Sequence, residues 1–192
     1  MDAQRMVSHS SKHSVKWVLN SSIEQYRSPY VKVFDDALAL PGNKQIIFTR
    51  IELKDFVAVV PILKSKIVMV EVYRYPINEW SLEVPCGHIN DNEPTEKCAL
   101  RELQEETGYL ARKITNLGWY YPQTRSTQKS YIFLAENLVK DKPNPDKTEQ
   151  IRIRIFATKK AYTKLESGRI THAPTIIALY KFMKYRLSSC KT

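Results

Sequence analysis

Gly87-His88-Ile89-Asn90-Asp91-Asn92-Glu93-Pro94-Thr95-Glu96-Lys97-Cys98-Ala99-Leu100-Arg101-Glu102-Leu103-Gln104-Glu105-Glu106-Thr107-Gly108-Tyr109 reads as a short loop, a helix and a stop. Pro94 suits the first helical turn, where its missing N–H is not needed. Gly108 suits a left-handed position just past the last turn. Between them Ala99, Leu103 and Leu100 make an apolar stripe. Glu102, Glu105 and Glu106 fall at i, i+3 and i+4, so their carboxylates share one flank of the helix. Like charges so close repel unless a cation offsets them, and an oxygen-only donor set suits Mg²⁺ or Mn²⁺ rather than zinc. The plainer alternative is a solvated acidic helix face. Arg101 stands against that alternative, since it precedes the cluster and is able to clamp a carboxylate bidentately. So do the glycines: the chain has five, and two of them bracket this helix.

Outward from the helix, the chain of 192 residues is long enough for one domain with a real core. Its hydrophobic share of 43% and charged share of 26% are those of a soluble globular protein. No apolar run approaches the ~20 residues of a membrane span. Residues 1–16 are polar and carry Arg5, Lys12 and Lys16 without an apolar core. They read as a flexible tail rather than a secretory signal, ahead of a single domain over 17–192. Cys86, Cys98 and Cys190 are odd in number and show no metal spacing, as expected of a reduced cytoplasmic protein. His9, His13, His88 and His172 are scattered and suggest no zinc site. The net charge of +10 favours anionic partners, whether nucleotides, polyphosphates or nucleic acid. A solvated basic surface weighs equally, because the excess sits in the ends and in runs such as 152–154 and 159–164.

In chain order, 17–34 alternates loosely and predicts one or two strands with a turn near Ser28-Pro29. Leu40-Pro41-Gly42-Asn43-Lys44 is a turn, and 45–51 a hairpin partner. Residues 57–63 and 67–73 read as buried strands and 80–84 as a strand leading into the helix unit. Beyond that unit, 114–121 and 130–134 read as strands and the charged, Pro-containing 137–150 as a loop. Ile151-Arg152-Ile153-Arg154-Ile155 alternates as a half-exposed strand. A helix over 159–166 stops at Gly168. A second, over 175–187, carries Ile176, Leu179, Tyr180 and Met183 at helical spacing. The fold class is α+β, a mixed sheet sandwiched between helices.

The central stretch resembles the Nudix box: Gly, five residues, Glu, seven residues, then Arg-Glu-apolar-any-Glu-Glu-any-Gly-apolar. Gly87, Glu93, Arg101, Glu102, Leu103, Glu105, Glu106, Gly108 and Tyr109 fill every defined position. Beyond the box, about residues 17–187 are similar to the ADP-ribose pyrophosphatase branch of Nudix hydrolases. That similarity rests on Val72-Tyr73-Arg74-Tyr75-Pro76, Glu83-Val84-Pro85-Cys86-Gly87, Tyr120-Tyr121-Pro122 and the 166–175 segment.

The resemblance implies a Mg²⁺-dependent (or Mn²⁺-dependent) hydrolase of a nucleotide sugar, a nucleoside diphosphate linked to a group X. ADP-ribose would give AMP and ribose 5-phosphate. Glu102 and Glu106 are the implied metal ligands, with the Cys86 carbonyl beside them, and Glu105 is a further ligand or the acid/base. Arg101 orients the carboxylates and Glu93 supports the loop. Arg74, Glu83 and Gln128 are the implied substrate-side residues, with a salt bridge the alternative for Arg74. Trp80, Trp119, Tyr120 and Tyr121 would either stack a base or join the core. The branch implies a homodimer, with strands 17–51 available for pairing.

The chain departs from the branch in one loop. Residues 122–130 hold no carboxylate where the branch has an acid, and Gln128 stands at that place; His172 stands where an Asp is common. Glu105 is then the favoured base, ahead of Glu149. Two other readings stay open: hydrolysis of capped or 5′-phosphorylated RNA, although no aromatic–basic interleaving is visible, and a Nudix-fold module that senses a nucleotide without cleaving it.

Overall fold

The computed structural model describes residues 16–142, 144 and 150–189. Residues 1–15, most of the expected tail, with His9 and His13, fall outside that range, as do Glu149 and Cys190. The chain divides into two compact units after Glu52, where the sequence suggested one domain from residue 17.

The first unit is a three-stranded sheet of β1 (Val18–Arg27), β2 (Val31–Leu40) and β3 (Lys44–Leu53), in that order. The Ser28 hydroxyl accepts the N–H groups of Tyr30 and Val31, which makes the first turn. Gly42 and Asn43 both take left-handed φ values, 78° and 59°, the pair of positive angles a two-residue hairpin turn needs. Asp36 on β2 is buried and ties the strands together: Ser22 of β1 donates to it at 2.5 Å and Arg50 of β3 at 2.7 Å. Arg50 also lies 4.4 Å over the Phe34 ring.

The second unit runs from Leu53. It contains β4 (Phe56–Leu63), β5 (Lys66–Arg74), a 3₁₀ turn at Tyr75–Ile77, β6 (Glu79–Glu83), β7 (Cys86–His88) and α1 (Thr95–Thr107). There follow β8 (Tyr109–Tyr120), β9 (Ser130–Lys140), β10 (Ile151–Ala157), α2 (Thr158–Glu166) and α3 (Ala173–Ser189). The strand order is β10-β5-β4-β9-β8, with β6 added on β5 and β7 on β4. The β4–β9 pair is parallel and the other registered pairs are antiparallel, so the sheet is mixed.

Two-residue alternation distributes each central strand to two cores. Val57 and Val59 of β4 and Phe133 and Ala135 of β9 pack with Cys98, Ala99 and Leu103 of α1. Ala58, Val60, Ile132 and Leu134 point to the other face, against Leu165 of α2 and Leu179 and Phe182 of α3. Helices therefore cover both faces of the sheet, and the α+β sandwich expected from the sequence is the fold observed.

Three differences are local. β9 continues six residues past Leu134, to Lys140, because Glu136, Leu138, Val139 and Lys140 pair with Lys113, Ala111, Leu110 and Tyr109 of β8. Cross-strand bonding thus converts the first four residues of the expected loop into strand. On α3 the buried face is Thr175, Ala178, Leu179 and Phe182; Tyr180 is exposed and Met183 only half-buried. The small Ala178 permits close approach to the sheet, and Phe182, one turn on, fills the space. On α1 the buried residues are Cys98, Ala99 and Leu103 together with Glu102, Glu106 and Thr107, while Leu100 is half-buried.

Candidate active site

The site forms where β7 meets the inner flank of α1. Pro94 caps the start of α1 in extended backbone, and Gly108 ends it at φ 67°, its N–H bonded to the Gln104 carbonyl. Gly87 on β7 lies against Glu102: a Cβ added there would come within 2.0 Å of the Glu102 carboxyl carbon. Gly87 is not among the glycines with positive φ, so the need for glycine here is one of space. Glu102 and Glu106 are only 9% and 5% exposed. A solvated acidic face would not bury two carboxylates, so that reading of the helix is set aside. The Glu105 side chain is the open one of the three, 35% exposed.

Arg101 holds this arrangement. Its Nε and Nη2 donate to the two oxygens of Glu93 at 2.8 and 2.9 Å, and its Nη1 donates to Glu102 Oε1 at 2.7 Å and Glu105 Oε2 at 2.9 Å. Nη2 also reaches the His88 carbonyl at 3.1 Å, linking the fork to β7. Glu93 in turn receives the Asn90 N–H at 2.9 Å and returns its own N–H to the Asn90 carbonyl, which closes the loop ahead of the helix. The Arg101 fork holds the Glu93 carboxyl at about 2, far below its usual range. One guanidinium faces three carboxylates here, and buried Glu106 adds a fourth acid nearby, so acids outnumber bases at the site.

A second cluster adjoins it. Glu83, at the end of β6, is fully buried, and Arg74 at the end of β5 grips it bidentately at 2.8 and 2.6 Å. Burial pushes the Glu83 carboxyl up, but the Arg74 bonds and the neighbouring charge of His172 outweigh it, so the net direction is down. His172 Nδ1 lies 3.2 Å from Glu83 Oε2 and 2.9 Å from Thr175 Oγ1, and the same hydroxyl oxygen accepts the Val84 N–H at 3.0 Å. Burial lowers the pKa of His172. Burial and the charges of Glu106 and Glu83 raise that of the Cys86 thiol. Cys86 and Arg74 both feel the charge of Glu106, so the two clusters share one electrostatic neighbourhood.

The remaining sequence candidates separate. Gln128 is 6% exposed and its amide donates to the Lys54 carbonyl at 2.5 Å. The buried amide thus anchors the loop to the residues just before β4. The adjacent Lys129 N–H bonds Asp55, fixing the loop to the start of β4. Trp80 is partly exposed beneath Arg152, whose guanidinium carbon lies 3.8 Å from the ring centre. Trp119 packs edge-on to Tyr121 with Lys129 above it. Tyr120 packs against the core. The sequence missed the partnership of His172 with Glu83 and the part of Thr175 in it. His172 was noticeable only as a departure from the branch, and nothing local marks Thr175.

An oxygen set of Glu102, Glu105 and Glu106 beside Gly87, where any side chain would displace the Glu102 carboxyl, fits a hard dication such as Mg²⁺ or Mn²⁺.

Known proteins resemble this chain over most of its length. The NUDIX domain model matches residues 53–179, nearly the whole second unit. An ADP-ribose pyrophosphatase of Bacillus subtilis (strain 168) is 30% identical over 166 residues, covering 84% of this chain and 90% of the relative. A methanol dehydrogenase activator of Bacillus methanolicus is 30% identical over 154 residues, covering 78% and 83%. The crystal structure of an ADP compounds hydrolase superposes with a TM-score of 0.84 at 21% identity, over 95% of this chain and all of the other. At that identity the likeness bears on the fold.

Proposed function

The chain belongs to the NUDIX domain family and is a Nudix pyrophosphohydrolase; from that premise we propose that it splits ADP-ribose into AMP and ribose 5-phosphate in a Mg²⁺-dependent reaction. The observation that carries the proposal is the burial of Glu102 and Glu106 beside Gly87, a negative site closed to solvent on one side. The kinship to the B. subtilis ADP-ribose pyrophosphatase over most of both chains supports the choice of substrate.

In this reading Glu102, Glu106 and the Cys86 carbonyl hold the dication, and Mg²⁺ there supplies neutralising charge and Lewis acidity to the diphosphate. Arg101 sets the carboxylate rotamers through its fork. Arg74, locked by Glu83 and with 37% of its side chain exposed, offers guanidinium charge to a phosphate oxygen. Glu105, the open carboxylate of the helix, takes the proton of the attacking water. Gln128 positions the 122–130 loop. The protein works as a homodimer in the reducing cytoplasm, with Cys86 and Cys98 as thiols. Among the described residues no helix is long and apolar enough to cross a membrane.

The test is product analysis on a panel of ADP-ribose, other ADP-linked compounds and capped RNA, with Mg²⁺ and then with chelator. AMP and ribose 5-phosphate from ADP-ribose, abolished by chelation, is the expected result. Preference for the RNA cap, or turnover of nothing on the panel, would replace the proposal with one of its two competitors.

A further inference from the structure

Glu83 ends β6, Cys86 begins β7 and His172 precedes α3, yet folding brings their side chains to one point. Glu83 Oε2 is 3.2 Å from His172 Nδ1 and 3.7 Å from Cys86 Sγ. One ligand atom from each residue lies within 4.8 Å of both others. The sequence, in which cysteines and histidines are scattered, suggested no zinc site; the three-residue group exists only in the fold.

We propose that the side chains of Glu83, Cys86 and His172 form a second metal site, selective for a borderline dication such as Zn²⁺, whose donor atoms are distinct from the all-oxygen set even though the Cys86 carbonyl belongs to that set. The donors are one sulfur, one imidazole nitrogen and one carboxylate oxygen, a mixture that Zn²⁺ accepts and Mg²⁺ does not. The spacing agrees as well. Zinc bonds of about 2.0 Å to oxygen and nitrogen and about 2.3 Å to sulfur, at tetrahedral angles, put oxygen and nitrogen about 3.3 Å apart and oxygen and sulfur about 3.5 Å apart. The observed 3.2 and 3.7 Å differ from those edges by a few tenths of an ångström. Three protein donors leave a fourth position for water or a phosphate oxygen.

Arg74 does not close the site. Its two bonds occupy one lone pair on each Glu83 oxygen, and a carboxylate offers about four. At Nδ1 of His172 the incoming cation replaces the hydrogen bond with Thr175, whose oxygen keeps the Val84 N–H. At Cys86 the metal–sulfur bond forms as the S–H bond breaks, and the proton leaves to solvent. No redox step is involved. Cys98, the other described thiol, faces the His88 carbonyl and the Arg101 guanidinium, so it lacks this donor set and serves as the control.

Binding is read without reference to turnover, so the test stands apart from the proposed reaction. Full-length protein in excess Mg²⁺ is titrated with Co²⁺, following the near-ultraviolet thiolate-to-cobalt charge-transfer band and the visible bands of four-coordinate cobalt. One Co²⁺ per chain with a thiolate band, displaced by Zn²⁺, is expected. The band persists in Glu106→Gln and Cys98→Ser and disappears in Cys86→Ala. His172→Ala weakens binding by more than about tenfold, the scale on which even groups supporting a metal ligand act. Should Cys86→Ala unfold, alkylation of the wild-type protein reads the same contact: Zn²⁺ protects Cys86 from the reagent. No thiolate band in the wild type, a band that survives Cys86→Ala, or Cys86 alkylated equally with and without Zn²⁺ would overturn the proposal.

Discussion

A methyl group on Gly87 would occupy the place of the Glu102 carboxylate. Gly87→Ala therefore has to push that carboxylate off its position, since the clash is with its terminal atoms and the β7 backbone is paired to β4. Side chains yield more readily than paired strands, so the variant should fold and melt near the wild type. Turnover should fall by about a hundredfold, the usual cost of a misplacement near 1 Å. Unchanged turnover would mean that the Glu102 rotamer does not matter. Glu93 makes a second residue-scale prediction, concerning acid. Its carboxyl stands near 4.5 when unpaired and at about 2 in the fold, because of Arg101. A lowered folded value gives stability that is complete above the unfolded value and is lost as pH falls through the folded one. Thermal melts of wild type and Glu93→Gln should differ most near neutrality and converge between about pH 4.5 and about 2. At this scale the box residues were legible because their spacing is a fixed frame. His172 was not, because its partner Glu83 lies on another element and only the fold closes the gap.

Among the elements, α1 was legible to its stop, and the reason is visible in it. Gly108 takes the left-handed angle that its position required, and Ala99 and Leu103 are buried as their spacing implied. What spacing did not say is which flank the acids take. Glu102 and Glu106 share the buried side with Leu103, which a purely apolar stripe would not predict. The α3 helix was legible in extent but its face was turned. Ile176, Leu179, Tyr180 and Met183 have helical spacing, and so do Thr175, Ala178, Leu179 and Phe182; hydrophobicity alone does not choose between them. The packed face chose the second set, with Phe182 fully buried beside Leu134 and Met69. Phe182→Ala should then cost about 3–5 kcal/mol by denaturant unfolding, and Tyr180→Ala under about 1 kcal/mol, since it leaves no buried cavity. Equal losses at the two positions would restore the first face. The extension of β9 to Lys140 follows a different logic, because charged residues become strand when a partner strand supplies the register.

For the whole molecule, a sheet with helices on both faces could be read in advance because β4 is a continuous apolar run, as a strand covered on both faces requires. The division after Glu52 could not, since no linker of distinct composition separates the first three strands from the rest. That sheet leaves Val18, Leu19, Ile23 and Tyr26 of β1 and Ile47 of β3 exposed. If these side chains serve the homodimer that the family resemblance implies, light scattering at micromolar protein should return the mass of two chains. A monomer would remove the homodimer from the account. The central claim is that carboxylates on the buried flank of α1 carry Mg²⁺-dependent diphosphate hydrolysis. Its most direct measurement is ADP-ribose turnover at saturating Mg²⁺ by wild type, Glu102→Gln and Glu106→Gln, with products separated and the fold of each variant checked by circular dichroism. Each substitution keeps side-chain volume and removes one charge, so both variants should remain folded and lose about a hundredfold or more in kcat, while the wild type releases AMP and ribose 5-phosphate in equal amounts. Near-wild-type turnover by both variants would contradict the claim.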